Sequence, residues 1–161
     1  MLMTRKADIN DFNFIYALYM HPQVNPYLLY ELMDASSFDP IYKNLIKQQL
    51  IYVYSRDHQP VGMFKLMPLQ YRSDHIVYLG GLAIDPACAG RGEGIKMMNE
   101  IIALAVKLGF LRIELSVAVN NEKAIALYEK AGFLKEGVLR KYTHLKSKQL
   151  FIDEVMMSYL V

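Results

Sequence analysis

Leu82-Ala83-Ile84-Asp85-Pro86-Ala87-Cys88-Ala89-Gly90-Arg91-Gly92-Glu93-Gly94-Ile95 is the stretch on which the reading turns. An apolar run ends at Ile84, Pro86 interrupts the chain, glycine occupies every second position from Gly90 to Gly94, and a helical period then begins. Ile95, Met98, Ile102 and Ala105 fall on one face of that helix and Lys96, Glu100, Ala103 and Lys107 on the other, until Gly109 ends it. A strand that enters a helix through glycines leaves unpaired N–H groups and the positive end of the helix dipole at the turn, where an anion is favoured. Glycine lets a backbone approach a phosphate that a Cβ would hold away, and it equally serves a tight turn at positive φ, so these residues alone leave both uses open. Two familiar phosphate loops are excluded. A Gly-x-Gly-x-x-Gly fingerprint begun at Gly90 meets Ile95 where its last glycine belongs, although Glu114 stands at about the distance of a ribose ligand. A P-loop requires Gly-Lys-Ser/Thr, which Lys96-Met97-Met98 does not supply.

Upstream, residues 2–6 read as a short strand, Asp8 as the N-cap of a helix over 9–20 ended by His21-Pro22, and 38–49 as a second helix. Residues 51–54 and 61–67 read as a hairpin around the four-residue loop Asp57-His58-Gln59-Pro60, followed by a third strand over 75–84. Downstream, 111–117 alternates apolar and polar without error, as a strand with one buried face does. Asn120 or Asn121 caps a helix in which Ala124, Leu127, Tyr128 and Ala131 recur at helical spacing before Gly132 ends it. Residues 133–142 and 150–160 are the last strands, joined at Lys146-Ser147-Lys148. Helices between strands demand parallel crossovers and hairpins demand antiparallel pairs, so the chain is α/β, with a central mixed sheet of about seven strands flanked by about four helices.

One domain over 1–161 accounts for the whole chain, since 161 residues suffice for one core and no linker or repeat divides them. A 53% hydrophobic, 21% charged composition excludes disorder, and a net charge of +2 with no block of like charge offers nothing to nucleic acid or a membrane surface. The N-terminus lacks an apolar signal and no run approaches the roughly 20 residues of a membrane span, so a cytoplasmic protein is expected. One cysteine, Cys88, and four scattered histidines exclude a disulfide framework and give no metal-ligand spacing, so no metal is expected. Twelve Tyr with no Trp serve as core or as pocket lining, and composition does not choose.

The series Leu82-Ala83-Ile84, Pro86, Gly90-Arg91-Gly92-Glu93-Gly94 and amphipathic helix resembles motif A of the GCN5-related N-acetyltransferases (GNAT), Gln/Arg-x-x-Gly-x-Gly/Ala. Val117, Asn121, Ala124-Ile125, Leu127-Tyr128-Glu129-Lys130 and Gly132-Phe133 resemble that family's motif B, in the right order, and the element order resembles its fold over essentially the whole chain. The first position of motif A, Gln or Arg in the family, is Ala89 here, with Arg91 as a positive charge two residues on.

The resemblance implies acetyl-CoA as acyl donor and a primary amine as acceptor, either a small molecule such as a polyamine or a protein N-terminus, attacked directly in a ternary complex. It implies cofactor binding by Leu82, Ala83, Ile84, Gly90, Arg91, Gly92, Glu93, Gly94, Ile95 and Asn121, with the strand residues pairing their main chain to the pantetheine arm. It makes Tyr128 the acid that protonates the departing thiol. It is compatible with a homodimer. A non-catalytic acyl-CoA sensor on the same fold is the alternative. The acceptor is expected at Tyr27, Tyr30, Glu31, Tyr71 and Tyr78, in a region where Tyr19, Asp34 and Asp39 also fall and where acids among aromatics suit a cation. Tyr78, Glu31 and Glu114 are the groups offered as general base, and the sequence does not choose among them.

Overall fold

The computed structural model describes residues 1–161, the side chain of Leu2 excepted. Seven strands lie in one mixed sheet: β1 (Leu2–Lys6), β2 (Ile51–Arg56), β3 (Gln59–Pro68), β4 (Ile76–Ile84), β5 (Arg112–Ala118), β6 (Leu134–Leu145) and β7 (Leu150–Leu160). Their order in the sheet is β1-β2-β3-β4-β5-β7-β6, and β4 and β5 run parallel while β1–β2, β2–β3, β5–β7 and β6–β7 are antiparallel. The helices are α1 (Phe12–Tyr19), α2 (Ala35–Lys47), α3 (Glu93–Lys107) and α4 (Glu122–Lys130). This is the expected class and element order. The chain forms two compact units, Met1–Leu66 with Gly81–Glu93, and Met67–Gly80 with Gly94–Val161.

In the first unit, Asp8 does cap a helical segment, but that segment opens as a single tight turn over Ile9–Asp11 before α1 begins. The reason is a reciprocal box: the Asp8 carboxylate accepts from the Asn10 N–H at 2.8 Å, and the Asp11 carboxylate accepts from the Asp8 N–H at 2.8 Å. Arg5 fixes Asp11 by a two-pronged hydrogen bond, 2.8 Å on each prong. Helix α2 starts three residues before its sequence-based boundary because Asp34 caps it, accepting from the Ser37 N–H at 2.8 Å. Pro40 then falls inside the helix and forfeits one main-chain bond.

The β2–β3 hairpin is tighter than expected. Strand β2 ends at Arg56 and β3 begins at Gln59, so Asp57 and His58 alone make the turn, both with left-handed backbone at φ +49° and +65°. Tyr52 pairs with Phe64 across it, their rings stacked at 5.0 Å. Ile15, Leu18, Tyr19, Phe38, Tyr42, Leu45, Ile51, Val53, Met63 and Ala83 form this unit's core. Phe38 is its aromatic hub, with ring contacts to Phe12, Tyr16, Tyr19, Tyr30 and Tyr42.

In the second unit, β5 buries Ile113, Leu115 and Val117 and leaves the residues between them half-exposed, as its alternation requires. Helix α3 buries Met97, Met98, Ile101 and Ala105, whereas Ile95 and Ile102 are only partly covered. The buried stripe is thus rotated from the one the spacing suggested, because adjacent methionines widen the apolar face and blur its centre. Gly132 ends α4 at φ +103°, and a Cβ there would press on the Tyr159 ring at 3.1 Å.

Candidate active site

Within the first unit, β4 carries a kink at Gly81, whose φ of +55° is left-handed. A Cβ at that position would stand 2.7 Å from the Tyr19 phenol oxygen and 3.0 Å from Lys65 Cε, so glycine is required both by conformation and by space. Leu82 and Ile84 are half-buried and Ala83 is buried. Asp85 then accepts from the Ala87 N–H at 3.0 Å and organises the single turn Pro86–Cys88.

Gly90 and Gly92 follow at φ +83° and +73°, and nothing lies within 4 Å of where a Cβ would be on either. Their glycines therefore answer a backbone demand while keeping the outer face of the loop open to a ligand. Arg91 is exposed between them. Glu93, the first residue of α3, is only 1% exposed and forms an ion pair with Arg56, so its main chain rather than its carboxylate is what the loop offers. An open turn of positive-φ glycines at a helix start, beside an exposed guanidinium, fits a pyrophosphate held mainly by main-chain N–H donors.

Within the second unit, Gly94 lets α3 and α4 meet closely, since its Cβ would lie 3.1 Å from Leu127 Cδ2. Ile95 is half-buried. Asn121 resolves the choice of cap: its side chain accepts from the Ala124 N–H at 3.3 Å. Tyr128 is 9% exposed, and burial, with Tyr78 as the lesser influence, pushes its phenol above the ordinary tyrosine value. The Tyr78 phenol shares a 2.7 Å hydrogen bond with the Ser116 hydroxyl and is likewise raised, chiefly by burial. Tyr142 and Glu154 act on it electrostatically, and Glu154 accepts from the Thr143 hydroxyl.

The β4–β5 ladder has three pairs and ends at Tyr78 opposite Glu114, although β4 runs on to Ile84 and β5 to Ala118. A sequence profile described as the acetyltransferase (GNAT) family matches residues 12–133. The chain belongs to that family. Among curated relatives, the N-alpha-acetyltransferase RimI of Mycobacterium tuberculosis is 36% identical over 61 residues, covering 38% of this chain and 37% of that protein. The L-amino acid N-acetyltransferase AaaT of Escherichia coli is 38% identical over 72 residues, 44% of each chain. The matched stretch spans less than half the length of either relative. The crystal structure of spermidine N-acetyltransferase from Vibrio cholerae in complex with CoA and spermine aligns at a TM-score of 0.86 and 23% identity, over 99% of this chain and 95% of that one, which shows a shared GNAT fold.

Of the residues expected at the acceptor, Tyr27, Tyr30 and Glu31 belong to the first unit and Tyr71 and Tyr78 to the second. Tyr27 is 52% and Tyr71 87% exposed, and Glu31 is half-buried. Asp34 caps α2 and Asp39 pairs with Lys43 at 2.8 Å, so these two acids have structural work. Tyr30 is the one drawn into a cluster, its ring 5.2 Å from that of Tyr19 and 5.3 Å from Lys65 Nζ. Sequence reasoning missed Lys65. The available signal was a single charge inside the otherwise apolar run Val61-Gly62-Met63-Phe64-Lys65-Leu66-Met67.

Proposed function

We propose that the protein is an acetyl-CoA-dependent N-acetyltransferase that passes the acetyl group to a primary amine in a ternary complex, with no covalent enzyme intermediate. The observation that carries this reading is Tyr128, a buried phenol on α4 within the family motif, kept protonated by its surroundings. Acetyl-CoA supplies an activated acyl carbon: the bond from the amine nitrogen forms, the carbon–sulfur bond breaks, and CoA leaves as the thiol. The main chain of Gly90 to Gly94, with Arg91, holds the pyrophosphate, and the main-chain groups of Leu82 to Ile84 orient the pantetheine arm and thioester. One such N–H aimed at the thioester oxygen contributes about 3 kcal/mol to the barrier reduction.

Tyr128 donates at its hydroxyl to the leaving sulfur. A phenol near 10 facing a thiol near 8.5 makes full transfer uphill by about 2 kcal/mol, and burial enlarges that gap. Its work is therefore to supply a hydrogen bond as charge builds on sulfur and to give up the proton only as that charge matures. The incoming amine must also lose a proton, and the half-buried pair Tyr78 and Ser116 is the polar group in the second unit suited to begin a relay.

A thiol-release assay over polyamines, amino acids, aminoglycosides and short peptides tests the reading. The expected result is release with at least one class and its loss in Tyr128→Phe at nearly unchanged acetyl-CoA affinity. Binding of acetyl-CoA with no release on any amine would overturn it and mark a non-catalytic acyl-CoA sensor.

A further inference from the structure

Lys65 lies on β3 with 4% of its surface exposed, and burial is the one influence acting on its ammonium, which it pushes below the ordinary lysine value. Among the described residues no carboxylate is ion-paired with it; its ammonium lies over the Tyr30 ring, 5.3 Å from the ring centre. A cation–π contact returns about 2 kcal/mol when desolvated, against several for taking an ammonium out of water. Tyr19 adds an unmet demand. Its side chain is 0% exposed and its hydroxyl has no hydrogen-bond partner. Both groups converge: the Tyr19 oxygen and Lys65 Cε stand 2.7 Å and 3.0 Å from the same point, the Cβ position of Gly81.

A buried hydroxyl without an acceptor thus lies beside the largely buried stem of a lysine, with an aromatic face against its ammonium. The hydroxyl is costly unmatched, by about 1–3 kcal/mol. The chemistry that answers both the hydroxyl and the ammonium is an anionic group with two oxygens. A polyamine brings the wrong sign, since a second ammonium would meet Lys65.

We propose that Lys65 and Tyr19, set against Gly81 and the Tyr30 ring, form a carboxylate subsite, so that the amine this protein acetylates carries a carboxylate near its amino nitrogen, as an amino acid does. The proposal rests on the transferase reading for the fate of the amine, but not for the binding of the carboxylate. Spacing sets the substrate's size. Leu82 and Ala83, whose main chain that reading gives to the acyl donor, follow Gly81 by one and two residues, about 3–7 Å along a strand. An α-, β- or γ-amino acid spans that interval between its carboxylate and its nitrogen.

The test compares L-amino acids with their primary amides, by acetyl transfer and by calorimetric binding to the protein with and without CoA. Wild type is expected to favour the acids by at least about tenfold in both readouts. Lys65→Met should bring acids down to the level of amides while leaving amides within about threefold, Lys65→Arg should restore part of the preference, and Tyr19→Phe should reduce it by a few fold. Equal binding of acids and amides by wild type, or a preference that survives both Lys65→Met and Tyr19→Phe, would overturn the subsite. Acid-selective binding lost in Lys65→Met without thiol release would uphold the subsite and sink the transferase reading. Thiol release with amides as readily as acids would do the reverse. Should Lys65→Met not fold, Tyr19→Phe and Lys65→Arg decide the matter by the same readouts.

Discussion

Replacing Gly81 with alanine tests the kink on which the proposed acceptor and acyl-donor roles both depend. Two costs add. The residue sits at φ +55°, and a non-glycine residue held there loses about 1–2 kcal/mol. The new methyl carbon would also lie 2.7 Å from the Tyr19 oxygen and 3.0 Å from Lys65 Cε. Overpacking of that kind costs about 1–3 kcal/mol, and here one obstacle is the rigid end of a fully buried ring while the other can move along a flexible stem. The expected loss is about 3 kcal/mol, or roughly 10 °C in Tm for a chain of this size. Urea unfolding followed by circular dichroism measures it. The double variant Gly81→Ala with Tyr19→Phe removes the nearest clashing atom but leaves the backbone strain, so it should recover about 1 kcal/mol relative to the sum of the singles. Tyr19→Phe alone should be neutral or stabilising by about 1 kcal/mol, since it deletes an unmatched buried hydroxyl. A Gly81→Ala variant within about 0.5 kcal/mol of wild type, or a cycle with no coupling, would refute the packing argument.

Three further outcomes follow from the same geometry. Tyr128→Phe should lower kcat by about 100-fold with the KM for acetyl-CoA within about threefold, and because burial raises the phenol, any alkaline loss of kcat in wild type below about pH 10 should persist in the variant. Asp11→Asn should cost about 2 kcal/mol by breaking the two-pronged Arg5 bond and the capping box. The Arg5 hydrogen bonds hold the Asp11 carboxyl below its ordinary value, so this stability is fully present above about pH 4 and is lost as pH falls through the lower folded value; acid titration of wild type and variant should converge there. Asn121→Ala should cost about 1 kcal/mol in unfolding as a lost cap, and a rise in the KM for acetyl-CoA beyond that expected of helix fraying would give Asn121 a cofactor contact as well.

The fold was legible where one short-range rule governs each residue. Strand β5 declared itself because its neighbours bury one face and leave the other, and the Asp8 cap because its partners lie within three residues. The hairpin at Asp57-His58 was read too long, since two consecutive non-glycine residues at positive φ are not what composition suggests. The proposed site follows the same division. Its loop and Tyr128 are local patterns, tied to glycine spacing and helix period. Lys65, Tyr19 and Gly81 belong to three different elements, and what matters about them is a shared point in space and a buried hydroxyl there without an acceptor. Neither property has a period. In the tyrosine-rich neighbourhood Asp34 caps a helix and Asp39 pairs with Lys43, while the Lys65 ammonium lies over the Tyr30 ring. A buried lone lysine in an apolar strand costs stability, so its presence is better explained by what it binds than by what it packs.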